Sequence, residues 1–382
     1  MRVLLFLCIA AQQPASPPPP PPTPANRTVE FTGTVLMNGF YNSARTNNSD
    51  DPVFADTDAV GVKGSSATMR QTRLGVTVTD PQVLGGSFSG EVDVDFFGGQ
   101  QPAAGNRNFP TLRLRRALAA VQWTHLQLLL GQETALVSDR NPRSLAGIGV
   151  PDFSLAGNLW FWIPQVRVTA EYGYTLRLAV QAAVLAPTAG TQGLLTTQPD
   201  SGERTTRPYL EGRVRLGWGP TDDPSEVAVG GHIGWLRGFD SVSGDSLLTS
   251  RAVTFDTRLK LGPAEILGEG FLGQAIAGLG GGAIGQNTGV GGAPVHTKGG
   301  WGQVNFRPRT GWMLGGGCGI DDPKDADVLP NGRFRNFVCE GHVEWRPPGP
   351  LVFGFEFRQL KTRYQAGDFT ANHLNLAAGF RL

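Results

Sequence analysis

Residues 372–382 read NHLNLAAGFRL, and the alternation within them decides the fold. Leu374, Leu376, Ala378, Phe380 and Leu382 share one face of an extended chain, while His373, Asn375, Ala377, Gly379 and Arg381 share the other. A strand apolar on one side and ending in arginine on the other suits a wall between lipid and water. Almost everything after residue 28 divides into segments of this kind, each closed by Gly, Pro, Asn or Asp. Strands are expected near 29–41, 68–80, 86–98, 109–123, 126–133, 163–172, 174–185, 207–218, 225–237, 251–261, 264–273, 300–308, 310–320, 334–346, 351–364 and 372–382. That is about sixteen, the size class of barrels that keep an aqueous channel.

Composition favours the same fold. Only 40% of the 382 residues are hydrophobic and 53 are glycine, too little oil to fill one large core. A transmembrane antiparallel β-barrel needs no such core, because lipid solvates one side of each strand, water the other, and closure pairs the backbone. A net charge of +1 argues against a nucleic-acid partner, and three cysteines rule out a disulfide-stapled scaffold. Residues 1–11 read as a short signal peptide and 12–28 as a proline-rich periplasmic linker, leaving 29–382 as the barrel. Short periplasmic turns such as 261–263, 307–309 and 346–350 alternate with long outer excursions at 42–67, 134–162, 186–206, 238–250, 274–299, 321–333 and 365–371. The expected location is the outer membrane of a Gram-negative-type bacterium, with its lipid as a partner.

The polar faces carry the functional signal. Leu74, Val76 and Val78 oppose Gln71, Arg73 and Thr77; Val92, Val94 and Phe96 oppose Glu91, Asp93 and Asp95. Leu112 and Leu114 oppose Arg113 and Arg115, and Leu210, Val214 and Leu216 oppose Glu211, Arg213 and Arg215. Arg167, Arg177, Arg258 and Arg358 follow the same parity. A charge facing lipid at mid-depth costs about 2 to 4 kcal/mol, so these arginines belong in the lumen. Guanidinium groups in a channel take carboxylate or phosphate bidentately. The acidic strip Glu91, Asp93 and Asp95 lies beside Arg113 and Arg115, where it either sets a transverse field across a constriction or pairs with them as wall. The segment 134–162 lacks clear alternation and is expected to fold into the pore, bringing Asp139, Arg140 and Arg143 to the solute.

Several runs resemble one known family. Arg73-Leu74-Gly75, the stretch Glu91 to Gly98, Leu112-Arg113-Leu114-Arg115-Arg116-Ala117, Leu130-Gly131-Gln132, Gly319 to Pro323 and His373 to Phe380 are similar to DcaP-like outer-membrane porins. The resemblance implies a sixteen-stranded homotrimeric channel for small organic anions, with Arg113 and Arg115 in its selective region. The chain departs from that family in having a proline tract where members often carry a coiled coil, and in ending on Leu382 rather than an aromatic residue.

Other motifs carry less. Gly280, Gly282 and Gly285 match a dinucleotide spacing but have no following helix to bind an anion. Asp321, Asp322, Asp325 and Asp327 read as a solvated acidic loop rather than a calcium site, and the five histidines show no metal spacing. Trp160, Phe161 and Trp162 read as an interface girdle or trimer contact, with a pore-folded platform as the alternative. Cys318 and Cys339 share an apolar face near opposed ends of one hairpin; two lipid-facing thiols are the default, and a disulfide is the alternative if the register brings them together. The expected function is passive diffusion of small hydrophilic solutes with a preference for small anionic or zwitterionic ones such as dicarboxylates, without cofactor, metal or catalysis. The alternatives are an outer-membrane hydrolase barrel, or a structural or adhesive barrel acting through loops 42–67 and 274–299.

Overall fold

The computed structural model describes residues 27–57, 62–98, 110–190, 199–240 and 244–382. The expected signal peptide and the linker up to residue 26 lie outside the described residues. The strands are β1 (Thr28–Asn42), β2 (Gly64–Thr68), β3 (Arg73–Val83), β4 (Gly86–Asp95), β5 (Arg113–Gln122), β6 (Leu126–Thr134), β7 (Trp162–Tyr172), β8 (Leu176–Leu185) and β9 (Tyr209–Trp218). They continue with β10 (Ser225–Asp240), β11 (Gly244–Leu261), β12 (Ala264–Gln274), β13 (His296–Phe306), β14 (Trp312–Pro323), β15 (Arg335–Trp345), β16 (Leu351–Tyr364) and β17 (Gly367–Arg381). Sequence neighbours pair antiparallel around the whole sheet, and β1 closes it against β17. Because β2 and β3 occupy successive halves of one stave beside β1, the barrel has sixteen staves.

Its polarity is inverted relative to a water-soluble protein. Along β8, Leu176, Leu178, Val180 and Val184 are 46–57% exposed, whereas Ala179, Gln181, Ala183 and Leu185 between them are buried. Lipid replaces water on the exposed face, so an alternating strand with modest hydrophobicity is stable only in a membrane. The closing seam is held on the lumen side as well, where Asn38 Nδ2 donates to Asn375 Oδ1 at 2.8 Å. Among the described residues no helix is long and apolar enough to cross a membrane.

Four sequence expectations are corrected. First, the stave expected at 68–80 begins at Gly64 and is interrupted at residues 69–72, where the side chains of Arg70 and Gln71 leave the ladder to hold inward loops. Second, the expected loop at 238–250 is mostly strand, since β10 and β11 pair from Glu226↔Arg258 up to Asp240↔Gly244; the expected loop at 365–371 shrinks to a turn closed by Tyr364↔Gly367. At both hairpins the paired strands run further than the sequence expectation placed them.

Third, Cys318 and Cys339 face each other directly across β14 and β15 and form a disulfide, so the default of two thiols is overturned. Fourth, the aromatic triplet turns inward. Trp160 is 3% exposed, and the Trp162 ring lies 5.2 Å from the guanidinium carbon of Arg113 and 4.5 Å from that of Arg115.

Candidate functional site: a loop-narrowed lumen lined by arginine

The segment between β6 and β7, residues 135–161, leaves the wall and crosses the barrel. Arg140 Nε reaches Asp256 Oδ1 of β11 at 3.2 Å, and Arg143 Nη2 donates to Glu265 Oε1 of β12 at 3.0 Å. Gln303 of β13 donates to the Arg143 carbonyl at 2.9 Å, Ser144 donates to Glu356 of β16, and Asn336 of β15 donates to the Leu155 carbonyl at 3.0 Å. The returning limb presses on the wall closely enough to require glycine on both sides. A Cβ on Gly157, whose φ is +103°, would stand 2.2 Å from the Gly300 carbonyl oxygen, and one on Gly319 would stand 2.2 Å from that of Ala156. Segment 275–295 folds in beside it, with Trp160 N donating to Leu279 O at 2.9 Å.

A second inward segment, 43–57, meets the loop at a buried ionic knot. Arg358 of β16, 1% exposed, donates to Asp51 at 3.3 Å, to the Pro52 carbonyl at 2.9 Å, to Glu356 at 2.8 Å and to Asp152. Asp51 also accepts from Gln71 Nε2 at 3.2 Å and from Val150 N at 3.0 Å. Burial pushes the Asp51 carboxyl up to about 7 against the pull of Arg358. In the folded protein Asp51 thus keeps a proton that an unconstrained carboxyl at 3.8 has lost, so this contribution to stability is complete below about pH 4 and is lost as the pH rises through about 7. Protease cleavage within 43–57 should therefore accelerate between about pH 5 and about pH 8, and a flat profile would show that Asp51 does not control the fastening.

Two open spaces among the described residues lie between the loop and the wall. One, of about 430 Å³, is bordered by Arg73, Arg115, Arg116 and Arg167 with Glu133, Asp139 and Trp162. The other, of about 810 Å³, opens at the short-turn end between Arg73, Arg143, Arg307, Arg309 and Arg346, with Glu344 as the one carboxylate among its lining residues.

The expected site residues divide by position. Arg73 pairs with Asp93, and Arg113 holds Asp95 with one contact of 3.0 Å. Arg113 also donates to the Gly149 carbonyl and Arg115 to that of Ile148, so both fasten the loop; only Arg115 of the two also borders an open space. Glu91 pairs with Arg116 at 2.9 Å. Arg143 and Arg167 line the two spaces, Arg167 donating to the Thr134 carbonyl at 2.6 Å. Arg215 pairs with Glu171 and with Glu226 at 3.1 Å.

Two expected positions differ. The Arg213 side chain has no exposed surface, because Asp256 at 2.7 Å and Asp139 of the loop at 3.4 Å close over it; it is a clamp and not a lining residue. Arg177 lies at the short-turn rim, donating to Tyr174 O at 3.3 Å and Gly219 O at 3.2 Å, far from the constriction in role. Burial would raise the Asp139 carboxyl, yet Arg213, Arg140 and Arg167 together hold it below the usual range.

Strict alternation misses Arg116, which it sends toward lipid. The β4–β5 register passes from Asp93↔Arg116 to Val94↔Leu114, so Arg115 is an extra residue and both it and Arg116 turn inward. The sequence did hold a clue: adjacent arginines on a membrane strand cannot both be inside without a bulge.

Two other groupings stay outside the site. Asp321 takes Thr297 and the Ile284 amide, Asp322 takes Lys298 at 3.5 Å, Asp325 takes Arg363 at 2.5 Å and Asp327 takes His296 at 2.8 Å, so these aspartates diverge instead of sharing an ion. Ser250 Oγ lies 3.1 Å from His232 Nε2, whose Nδ1 is 2.9 Å from Glu211 Oε1, the order of a hydrolase triad. Ser250 is 2% exposed and packed under the inward loop's apolar cluster, and neither open space beside the loop reaches it.

A closed sixteen-stave barrel, apolar outside, charged inside and narrowed by an inward loop, is the porin architecture of Gram-negative outer membranes. The fold is similar to the outer membrane channel DcaP of Acinetobacter baumannii, at a TM-score of 0.71 and 17% identity over 94% of this chain and 99% of that one. OmpT of Vibrio cholerae, an outer membrane protein solved in a trimer form, matches at a TM-score of 0.56 and 11% identity over 93% and 99% of the two chains. Salmonella typhi OmpF, solved with daunomycin, matches at 0.57 and 8% identity over 93% and 97%. No family model matches the chain, and no curated protein matches it by sequence.

Proposed function

We propose that this chain forms a passive diffusion channel of the outer membrane, as a homotrimer, with a preference for small organic anions such as dicarboxylates. The observation that carries the reading is the arginine lining of the short-turn vestibule, five arginines and one carboxylate among its lining residues, with Glu265 paired to Arg143 and Arg307 and Asp93 paired to Arg73 behind that lining. The short-turn end faces the periplasm in barrels of this type. Beyond it, Arg73, Arg115, Arg116 and Arg167 continue the cationic lining beside the loop. Guanidinium groups offer paired N–H donors to each carboxylate, and the Glu133 and Asp139 carboxylates among the lining residues are themselves paired, Glu133 with Arg116 and Asp139 with Arg213. Many of these arginines hold wall carboxylates and are thereby fixed in place, which favours a preset lining over a flexible one.

In planar bilayers under a KCl gradient the reversal potential should favour chloride, and small dicarboxylates should reduce the chloride current. A cation-favouring potential would overturn the reading. Arg143→Ala, which removes a loop charge from the vestibule, should raise conductance or weaken the anion preference. If both stay at the parental value, the loop arginine is not part of the constriction.

A further inference from the structure

Away from the arginine lining, the wall formed by β13 to β16 carries a second polar cluster. His342 in β15 faces Glu356 across the β15–β16 ladder and Gly315 across the β14–β15 ladder, and Gly315 in turn faces Asn305 of β13. The missing side chain at Gly315 lets its neighbours lean together. A Cβ built there would stand 2.3 Å from His342 Nε2 and 2.5 Å from Asn305 Oδ1, so both atoms converge on the same point.

Among the described residues both atoms are also without a partner. His342 is 6% exposed and Asn305 is fully buried, and neither Nε2 nor Oδ1 makes a hydrogen bond. The other end of each side chain fixes what these atoms are. His342 Nδ1 lies 2.9 Å from the Glu340 carboxylate, an acceptor, so in the neutral ring Nδ1 carries the proton and Nε2 keeps a lone pair. Asn305 Nδ2 donates to Gln303 Oε1 at 3.0 Å, which leaves the amide oxygen turned toward the histidine. Two lone pairs that meet in a buried wall are costly unless something positive stands between them.

The surroundings match what a metal would use. A histidine whose second nitrogen donates to a carboxylate is the usual support behind a metal ligand, and one ligand atom from each of Glu340, His342 and Glu356 lies within 4.8 Å of the others. A void of about 10 Å³ borders His342 and Glu356 on the side of the histidine toward β16 and β17. We propose that this cluster binds one divalent transition-metal ion, best fitted by Zn2+, through His342 Nε2 and the Glu356 carboxylate with Asn305 Oδ1 completing the set. Imidazole with carboxylate oxygen suits zinc, whereas calcium and magnesium call for shells of six or more oxygens. Glu356 also accepts the Ser144 hydroxyl of the inward loop, so the ion would sit at the point where the loop is fastened.

The test uses the full chain without an affinity tag, stripped with EDTA in detergent, equilibrated with Zn2+ and read by elemental mass spectrometry. About one zinc per chain is expected, falling to the chelator background in His342→Gln. Asn305→Leu, which keeps the imidazole and both carboxylates, should weaken binding by roughly 10-fold or more and serves if the histidine variant does not fold. Zinc at background in the parent protein, or equal zinc in parent and both variants as exposed His125 or His296 would give, overturns the proposal. The result is independent of whether the channel prefers anions.

Discussion

Arg358→Ala should be the most damaging single substitution in the wall, lowering stability by about 3–5 kcal/mol. Its guanidinium is the shared partner of Asp51, Asp152 and Glu356, drawn from two inward loops and the wall itself. Without it the acidic groups of Asp51, Asp152 and Glu356 remain in a dry pocket with no cation among them, and the water they draw in loosens the loops. The contrast is Lys361, whose exposed pair with Asp368 at 3.1 Å is screened by solvent and is worth about 0–1 kcal/mol at most. Urea unfolding in detergent should therefore show a large midpoint shift for Arg358→Ala and almost none for Lys361→Ala. Arg358→Lys, which keeps the charge but not the planar fork, should fall between them. Equal midpoints for all three would mean that the ionic knot holds nothing together.

The second large effect concerns selectivity. In Arg309→Glu combined with Arg346→Glu, five arginines against one carboxylate become three against three among the vestibule's lining residues. Both positions lie at the short-turn end just outside the strands, so the barrel should still form. The anion preference should collapse toward none, and more visibly at low salt, because fields in open water extend only about 10 Å at 0.1 M. Reversal potentials that match the parent protein at low ionic strength would move the selective region away from the vestibule and toward the space beside Arg115 and Arg167.

The wall was legible in the sequence because lipid enforces a strict rule: a residue is either in contact with lipid or it is not, and the period is two. That rule lapses at the β4–β5 bulge, where Arg116 turns inward with its neighbour. The partners inside the lumen were not legible. Arg358 finds Asp51 across 307 positions of sequence and Asp152 across 206, distances that no local period encodes. Expected pore arginines such as Arg213 proved to be clamps for the same reason, since parity says which way a side chain points but not what folds over it.

The Cys318–Cys339 bond lies on the outward face of the wall, where Cys318 is exposed between the buried Gly319 and the partly buried Gly317. Its consequence belongs to assembly. Shifting an antiparallel pair by one residue exchanges its two faces, which here would send Glu340 and His342 into lipid. The periplasm is oxidising, so a hairpin stapled there between directly opposed residues would reach the membrane with that slip already forbidden. Joining positions 21 apart in sequence also removes about 3 kcal/mol of unfolded-chain freedom in the loop-entropy model. This one pair of staves can arrive aligned before the other fourteen have found their neighbours.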